Sequence, residues 1–384
     1  MKLRVANGGI IAGRAVFSAA TLTLAGERIV AIEPGTSGTP EIDLDGGWLV
    51  PGFIDTQVNG GGGVLFNDDI SVEGIAAIGA AHARFGTTAF LPTLISDSPD
   101  HIAAALDAAD AAITAGVPGV VGVHIEGPFI NEAKRGIHEA DRIRPIDKAL
   151  VALLSKPHRG RVVLTVAPER VGPAYIRTLA DNGVIVCAGH TNATYDEVRA
   201  AIDAGMTGFT HLFNAMSPLT HRAPGVVGAA LDTPGSWCGL IVDNSHLHPA
   251  TVRIAVRAKG LDRIMLVTDA MPSVGTDQTD FTLQGKHIQV HDGVCTYEDG
   301  TLAGSDLDMA TAFRNAVAIT GLAPSDVVRM SSESAAAFLG LSATHGTLGA
   351  GKRADWVLLD AEFRARETWI GGVPLAAIKG MATV

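Results

Sequence analysis

Glu126, His190, His211 and Asp269 each stand at or just past the end of a short apolar run, where a polar turn begins. The runs are Val120 to Ile125 (VVGVHI), Val184 to Ala188 (VIVCA), Gly208 to Thr210 (GFT) and Ile264 to Val267 (IMLV). Each reads as a buried strand of a parallel sheet. In a barrel of parallel strands the C-terminal ends share one mouth, so these four side chains are expected to meet there. A carboxylate at the end of a buried strand is costly unless it is paired or bound to a metal. Two imidazoles and one carboxylate with an open position form a known catalytic zinc set. Asp269, across the mouth, is placed to act as general base on an attacking water. The plainer readings are core histidines satisfied by hydrogen bonds and a loop-capping aspartate. Grouping on neighbouring strands favours the metal set.

Other residues extend the site. Gln57 and Asn59 in DTQVNG have the i, i+2 spacing that a His-x-His metal pair would occupy on a first barrel strand. Neutral amides are weak ligands for such ions, so one divalent ion per chain is expected, zinc first, with Fe2+, Mn2+ or Co2+ as alternatives. Arg222 lies in a loop bounded by Pro and Gly, and Asn214 and Ala215 offer backbone N–H groups; together they are candidates for an anion clamp. A solvated arginine is the plainer reading of Arg222. His138 and His246 fall in loops on the catalytic side and are candidate substrate contacts. Leu302 to Ser305 is expected to open a helix at Ser305 and present free N–H groups. The remaining histidines have no such grouping, and the run Gly60 to Gly63 lacks the lysine of a nucleotide loop.

Eight apolar runs, starting near Gly52, Thr87, Val120, Arg161, Gly183, Gly208, Trp237 and Arg263, alternate with helical stretches. One such stretch opens at Ser98-Pro99 and closes at Gly116; another carries a capping box at Thr194 and Glu197; a third runs from Pro249 to Lys259-Gly260. Eight such units point to an α/β fold, a TIM-like (β/α)8 barrel over residues 51–342, with a doubly wound open sheet as the runner-up. Residues 1–50 and 343–384 alternate like antiparallel strands and are expected to join as one small β-sandwich domain. Residues 280–300 read as an extra hairpin turning at His291-Asp292-Gly293.

The chain has 384 residues, 47% hydrophobic and 18% charged, ample for a large core. Its formal charge of −11 argues against nucleic acid as a partner and leaves an anionic substrate dependent on local cations. Three cysteines without a C-x-x-C pair indicate neither a disulfide framework nor a cysteine-zinc site, and with no signal-peptide pattern or membrane span they suggest the cytoplasm.

The motifs PGFIDTQVNGGGG, HIEGPFI, GIH, GHTNATY, THLFNAM, HRAPG, LVTDAM and LAGS, in this order and continued by GTLGAGKRADWVLLD, resemble the N-acetylglucosamine-6-phosphate deacetylases of the amidohydrolase superfamily. The resemblance implies metal ligation by Glu126, His190 and His211, and catalysis by Asp269 with help from His138. It implies substrate contacts at Ile137, His138, Asn214, Ala215, Arg222, His246 and Leu302. The Gln57-x-Asn59 pair is similar to that of the single-metal branch. The reaction so implied is hydrolysis of the acetamide of N-acetylglucosamine 6-phosphate by a homodimer. The galacto epimer, a cyclic amide, or sugar-phosphate binding without catalysis are the competing expectations.

Overall fold

The computed structural model describes residues 1–378. Eight parallel strands pair in chain order at its centre: Phe53–Val58, Thr87–Ile95, Gly122–Glu126, Arg161–Val166, Ile185–Ala188, Gly208–Phe209, Trp237–Leu240 and Ile264–Leu266. All eight apolar runs therefore become strands of one sheet. Its ends meet where Asp269 N donates to Gln57 O at 3.0 Å and Val58 bridges Ala270, which closes the sheet into a barrel. The strand residues are almost all buried, because helices cover the outside and side chains fill the inside.

The covering helices start and stop where local chemistry dictates. Ser98 accepts from His101 N ahead of Pro99–Ala115, and Gly116 ends that helix in a left-handed conformation with φ 75°. Ile102, Leu106, Ala109 and Ala112 form its buried face, and full burial of a leucine or isoleucine contributes roughly 1.5–3 kcal/mol. Thr194 and Glu197 form the reciprocal capping box of Tyr195–Asp203.

The chain ends build a second sheet. Lys2–Ala12, Ala15–Ala25, Arg28–Pro34 and Trp48–Pro51 from one end join Trp356–Leu359 and Ala365–Ile370 from the other. The junction is Trp48–Pro51, which pairs parallel to Lys2–Ala12 and antiparallel to Trp356–Leu359. Val5, Ile10, Leu22, Leu49 and Trp356 share a core there, with Trp356 stacked on Trp369 at 5.1 Å between centroids. Among the described residues no helix is long and apolar enough to cross a membrane.

A third, antiparallel sheet of four strands follows the eighth barrel strand: Asp280–Leu283, Lys286–His291, Val294–Thr296 and Leu302–Ser305. Asp292 and Gly293 make its tight turn with φ 49° and 77°, the positive values that suit the twist of a two-residue hairpin. Leu302–Ser305 is a strand and does not open a helix, because it pairs with Val294–Thr296 and Ser305 N donates to Asp269 O at 2.9 Å. The helix begins later, at Met309, capped by Asp308 Oδ1, which accepts from Thr311 N at 2.8 Å.

Candidate active site

Three strand ends bring Glu126, His190 and His211 to one point. Glu126 Oε1 lies 3.0 Å from His211 Nε2 and 3.3 Å from His190 Nε2, and the two imidazole nitrogens are 3.0 Å apart. His190 Nδ1 donates to Lys134 O at 2.9 Å. That bond fixes the tautomer and turns the bare Nε2 toward Glu126, as metal-ligating histidines require. His138 also belongs to the cluster: Glu126, His138 and His190 each place a ligand atom within 4.8 Å of the others. Buried oxygen and nitrogen donors converging in this way fit a divalent ion of the zinc type.

Burial opposes ionisation of Glu126, yet hydrogen bonds from His190 and His211 hold its carboxyl well below the usual range. Burial works against His211 as well, but the bond to Glu126 and its charge keep that imidazole above its ordinary value. His138 is pushed well below the ordinary imidazole value, first by burial and then by His190, so it is neutral. His124, on the same face of its strand as Glu126, is also buried and neutral; Thr93 and Thr165 satisfy its nitrogens at 3.2 and 2.7 Å. Of that pair, Glu126 lines the mouth and His124 belongs to the barrel interior.

Asp269 faces the cluster from past the eighth strand. Its Oδ1 accepts from Asn59 Nδ2 at 2.6 Å and from Gln57 Nε2 at 3.0 Å. Gln57 Nε2 also stands 3.2 Å from both oxygens of Glu126. The two amides thus serve as donors to carboxylates. Burial, followed by the charge of Glu126, pushes Asp269 up to about 6. Beneath it, Asp55 accepts from Thr268 Oγ1 at 2.5 Å and from Gln57 N at 3.1 Å, anchoring both strand ends.

The backbone here departs from comfortable geometry. His190, His211, Ala215 and Asp269 have φ of 48°, 33°, 52° and 55°. Left-handed conformations cost of order 1–3 kcal/mol each for such residues and gather where function over-determines the structure. Gly304, with φ 61°, leaves room for this turn: a Cβ there would sit 2.7 Å from Asp269 O.

A cavity of about 360 Å³ opens over the cluster. Glu126, Ile137, His138, His190, His211, Asn214, Ala215, His246, Asp269 and Leu302 all line it. Arg222 does not; it is exposed on a loop outside this wall. Three further residues support the site. Lys134 lines the cavity and supplies the carbonyl for His190. Asp243 Oδ2 holds His246 Nδ1 at 2.6 Å, and Ser96 Oγ holds His138 Nδ1 at 2.7 Å. Asp243, at the end of the seventh apolar run and three residues before His246, carried the same strand-end signal as Asp269. Ser96, directly after the strand Thr87–Ile95, carries that signal too, and Lys134 carries none.

Residues 48–383 match the model of the amidohydrolase family. The chain is 44% identical over 338 residues to N-acetylgalactosamine-6-phosphate deacetylase of Shewanella sp. (strain ANA-3), covering 88% of this chain and 85% of that protein. It is 35% identical over 353 residues to N-acetylglucosamine-6-phosphate deacetylase of Haemophilus influenzae, covering 90% and 92%. The crystal structure of N-acetylglucosamine-6-phosphate deacetylase from Pasteurella multocida superposes with a TM-score of 0.93 at 34% identity, covering 97% of this chain and 99% of that one.

Proposed function

The chain belongs to the amidohydrolase family, and from that premise we propose that it hydrolyses the acetamide of N-acetylglucosamine 6-phosphate, releasing acetate and glucosamine 6-phosphate. The observation that carries this reading is the convergence of Glu126, His190 and His211 opposite Asp269 in one cavity. The relative that is 44% identical acts on the galacto epimer by its name, which favours N-acetylgalactosamine 6-phosphate as the second reading.

Glu126, His190 and His211 would hold one divalent ion, which we assign as zinc from the nitrogen and oxygen donors. When bound, that ion supplies Lewis-acid polarisation of the amide carbonyl and acidifies the attacking water. Asp269 accepts the water proton as the new carbon–oxygen bond forms. It then gives that proton to the amine nitrogen as the carbon–nitrogen bond breaks, since an amide anion is a poor leaving group. His138 is neutral; in the tautomer that carries its proton on Nε2, Ser96 Oγ–H donates to Nδ1 and the Nε2–H would donate to the developing oxyanion. Asp243 Oδ2 accepts from His246 Nδ1–H at 2.6 Å and so orients His246 toward the substrate.

The phosphate lies away from the bond that breaks, so its binding positions the sugar. Ala215 lines the cavity wall with its backbone N–H unspent, whereas the Asn214 N–H expected beside it already donates to His211 O at 3.0 Å. Arg222 lies outside the cavity of its own chain, so we assign its contact with phosphate to the cavity of a second copy in a homodimer. Three buried free cysteines and a phosphorylated substrate support a cytoplasmic setting.

Mass-spectrometric turnover of the two N-acetylhexosamine 6-phosphate epimers tests the reading. The gluco substrate is expected to lose acetyl with the higher kcat/KM. A galacto preference selects the second reading, and turnover of neither refutes both.

A further inference from the structure

His138 sits on a stretch with little regular structure of its own, between two short 3-10 turns, Glu132–Lys134 and Ala140–Arg142. Lys286, on the second strand of the four-stranded sheet, reaches both sides of it. Its Nζ donates to Ile137 O at 2.8 Å and pairs with Glu139 Oε1 at 2.9 Å, so one ammonium brackets His138 along the chain. The same sheet also reaches the partner of the imidazole: Gln284 Nε2 donates to Ser96 O at 2.9 Å, and Ser96 Oγ bonds His138 Nδ1 at 2.7 Å. Apolar packing backs these bonds, since Leu283 and Ile288 share a buried cluster with Ile95 and Ile137. The ammonium is largely shielded, with 17% side-chain exposure, and lies 5.6 Å from the ring centroid of Tyr297.

A sheet appended after the last barrel strand thus grips the backbone carbonyl before His138, the side chain after it and the residue that holds its ring. We propose that the sheet of residues 280–305 is the positioning element for His138 and that Lys286 is its positioning residue. Lys286 does not line the cavity and touches no reacting atom. It acts by fixing where the His138 Nε2–H points. Lysine suits this place because a compact ammonium donates to a carbonyl and a carboxylate at once on a long stem. The proposal rests on the reading that His138 donates to the substrate oxyanion.

The test is a double-mutant cycle on the metal-loaded enzyme with Lys286→Met, which keeps the stem and removes the charge, and His138→Gln. A displacement of about 1 Å can cost up to roughly 100-fold in rate, so Lys286→Met is expected to lower kcat by roughly tenfold to 100-fold with little change in KM and unchanged metal content. In the His138→Gln background the same substitution should change kcat by less than about twofold, because the effect passes through the imidazole. An equal loss in both backgrounds, or no loss in the wild-type background, overturns the proposal. Hydrogen exchange of the amides at 137–139 supplies a readout independent of chemistry: Lys286→Met should speed it by roughly tenfold or more, and unchanged exchange refutes the clamp. If His138→Gln alone keeps full kcat, the oxyanion reading fails, and exchange still decides whether Lys286 holds the loop.

Discussion

Asn59 Nδ2 donates to Asp269 Oδ1 at 2.6 Å across the seam where the first and last barrel strands meet. Gln57 Nε2 reaches the same oxygen at 3.0 Å and both Glu126 oxygens at 3.2 Å. One amide therefore ties Asp269, the proposed general base, to Glu126 of the proposed metal set, and these amides leave the other oxygen of Asp269 free. Gln57→Ala is expected to retain its metal while losing turnover, because it removes orientation rather than a ligand. His211→Ala should lose both. Elemental analysis beside kcat separates the cases; metal loss in Gln57→Ala would make the amide a ligand after all.

Asp269→Asn preserves shape but cannot accept a proton, so kcat should fall by roughly two or more powers of ten with metal content intact. Asp269 works as a base only when ionised, and burial raises it to about 6. Activity should accordingly rise with pH along an acid limb, placed at or below about 6 once a cation stands nearby and favours the carboxylate. A pH profile of kcat/KM that stays flat down to pH 4.5 would deny Asp269 this role.

Asp55 gives a pH dependence of stability. Burial raises it from 3.8 to about 7 despite its bonds from Thr268 and Gln57. The native state then holds the proton more tightly than the unfolded chain, so this group's stabilisation is complete below 3.8 and is lost as pH rises through about 7. Melting temperatures of metal-loaded wild type should fall across that window relative to Asp55→Asn, in which the contribution is absent. Parallel melting curves for the two proteins at every pH would remove Asp55 as the source.

The barrel is legible in the sequence because its strands are continuous apolar runs, and a polar residue that interrupts such a run at its end has few structural reasons to be there. Glu126, His190, His211 and Asp269 stand out on that ground alone. Helix limits at Ser98, Gly116 and Thr194 are legible because caps are local chemistry. Leu302–Ser305 is not legible as a strand, because its state depends on pairing with Val294–Thr296 and on Ser305 bonding Asp269. Lys134 and Lys286 are invisible for the same reason: each matters through a partner far away in sequence, and no spacing rule records that.

Arg222 tests the assembly. Loss of a charge-assisted contact costs about 1.5–3 kcal/mol, so Arg222→Ala should reduce the preference for phosphorylated over unphosphorylated sugar by roughly tenfold to 100-fold. If Arg222 serves the neighbouring cavity, subunits of Arg222→Ala mixed with subunits of Asp269→Asn should show kcat/KM on the phosphorylated sugar above that of either variant alone. Each mixed dimer would then hold one complete site. Absence of that gain with demonstrated subunit exchange would return Arg222 to solvent.

Titration of metal-free protein with Zn2+ while acetate release from N-acetylglucosamine 6-phosphate is followed bears most directly on the central claim, a single-metal amide hydrolase site built from Glu126, His190, His211 and Asp269. Activity should start near zero, climb linearly and level at one equivalent of metal per chain. Full acetate release before any metal is added, or a break at two equivalents, would contradict it.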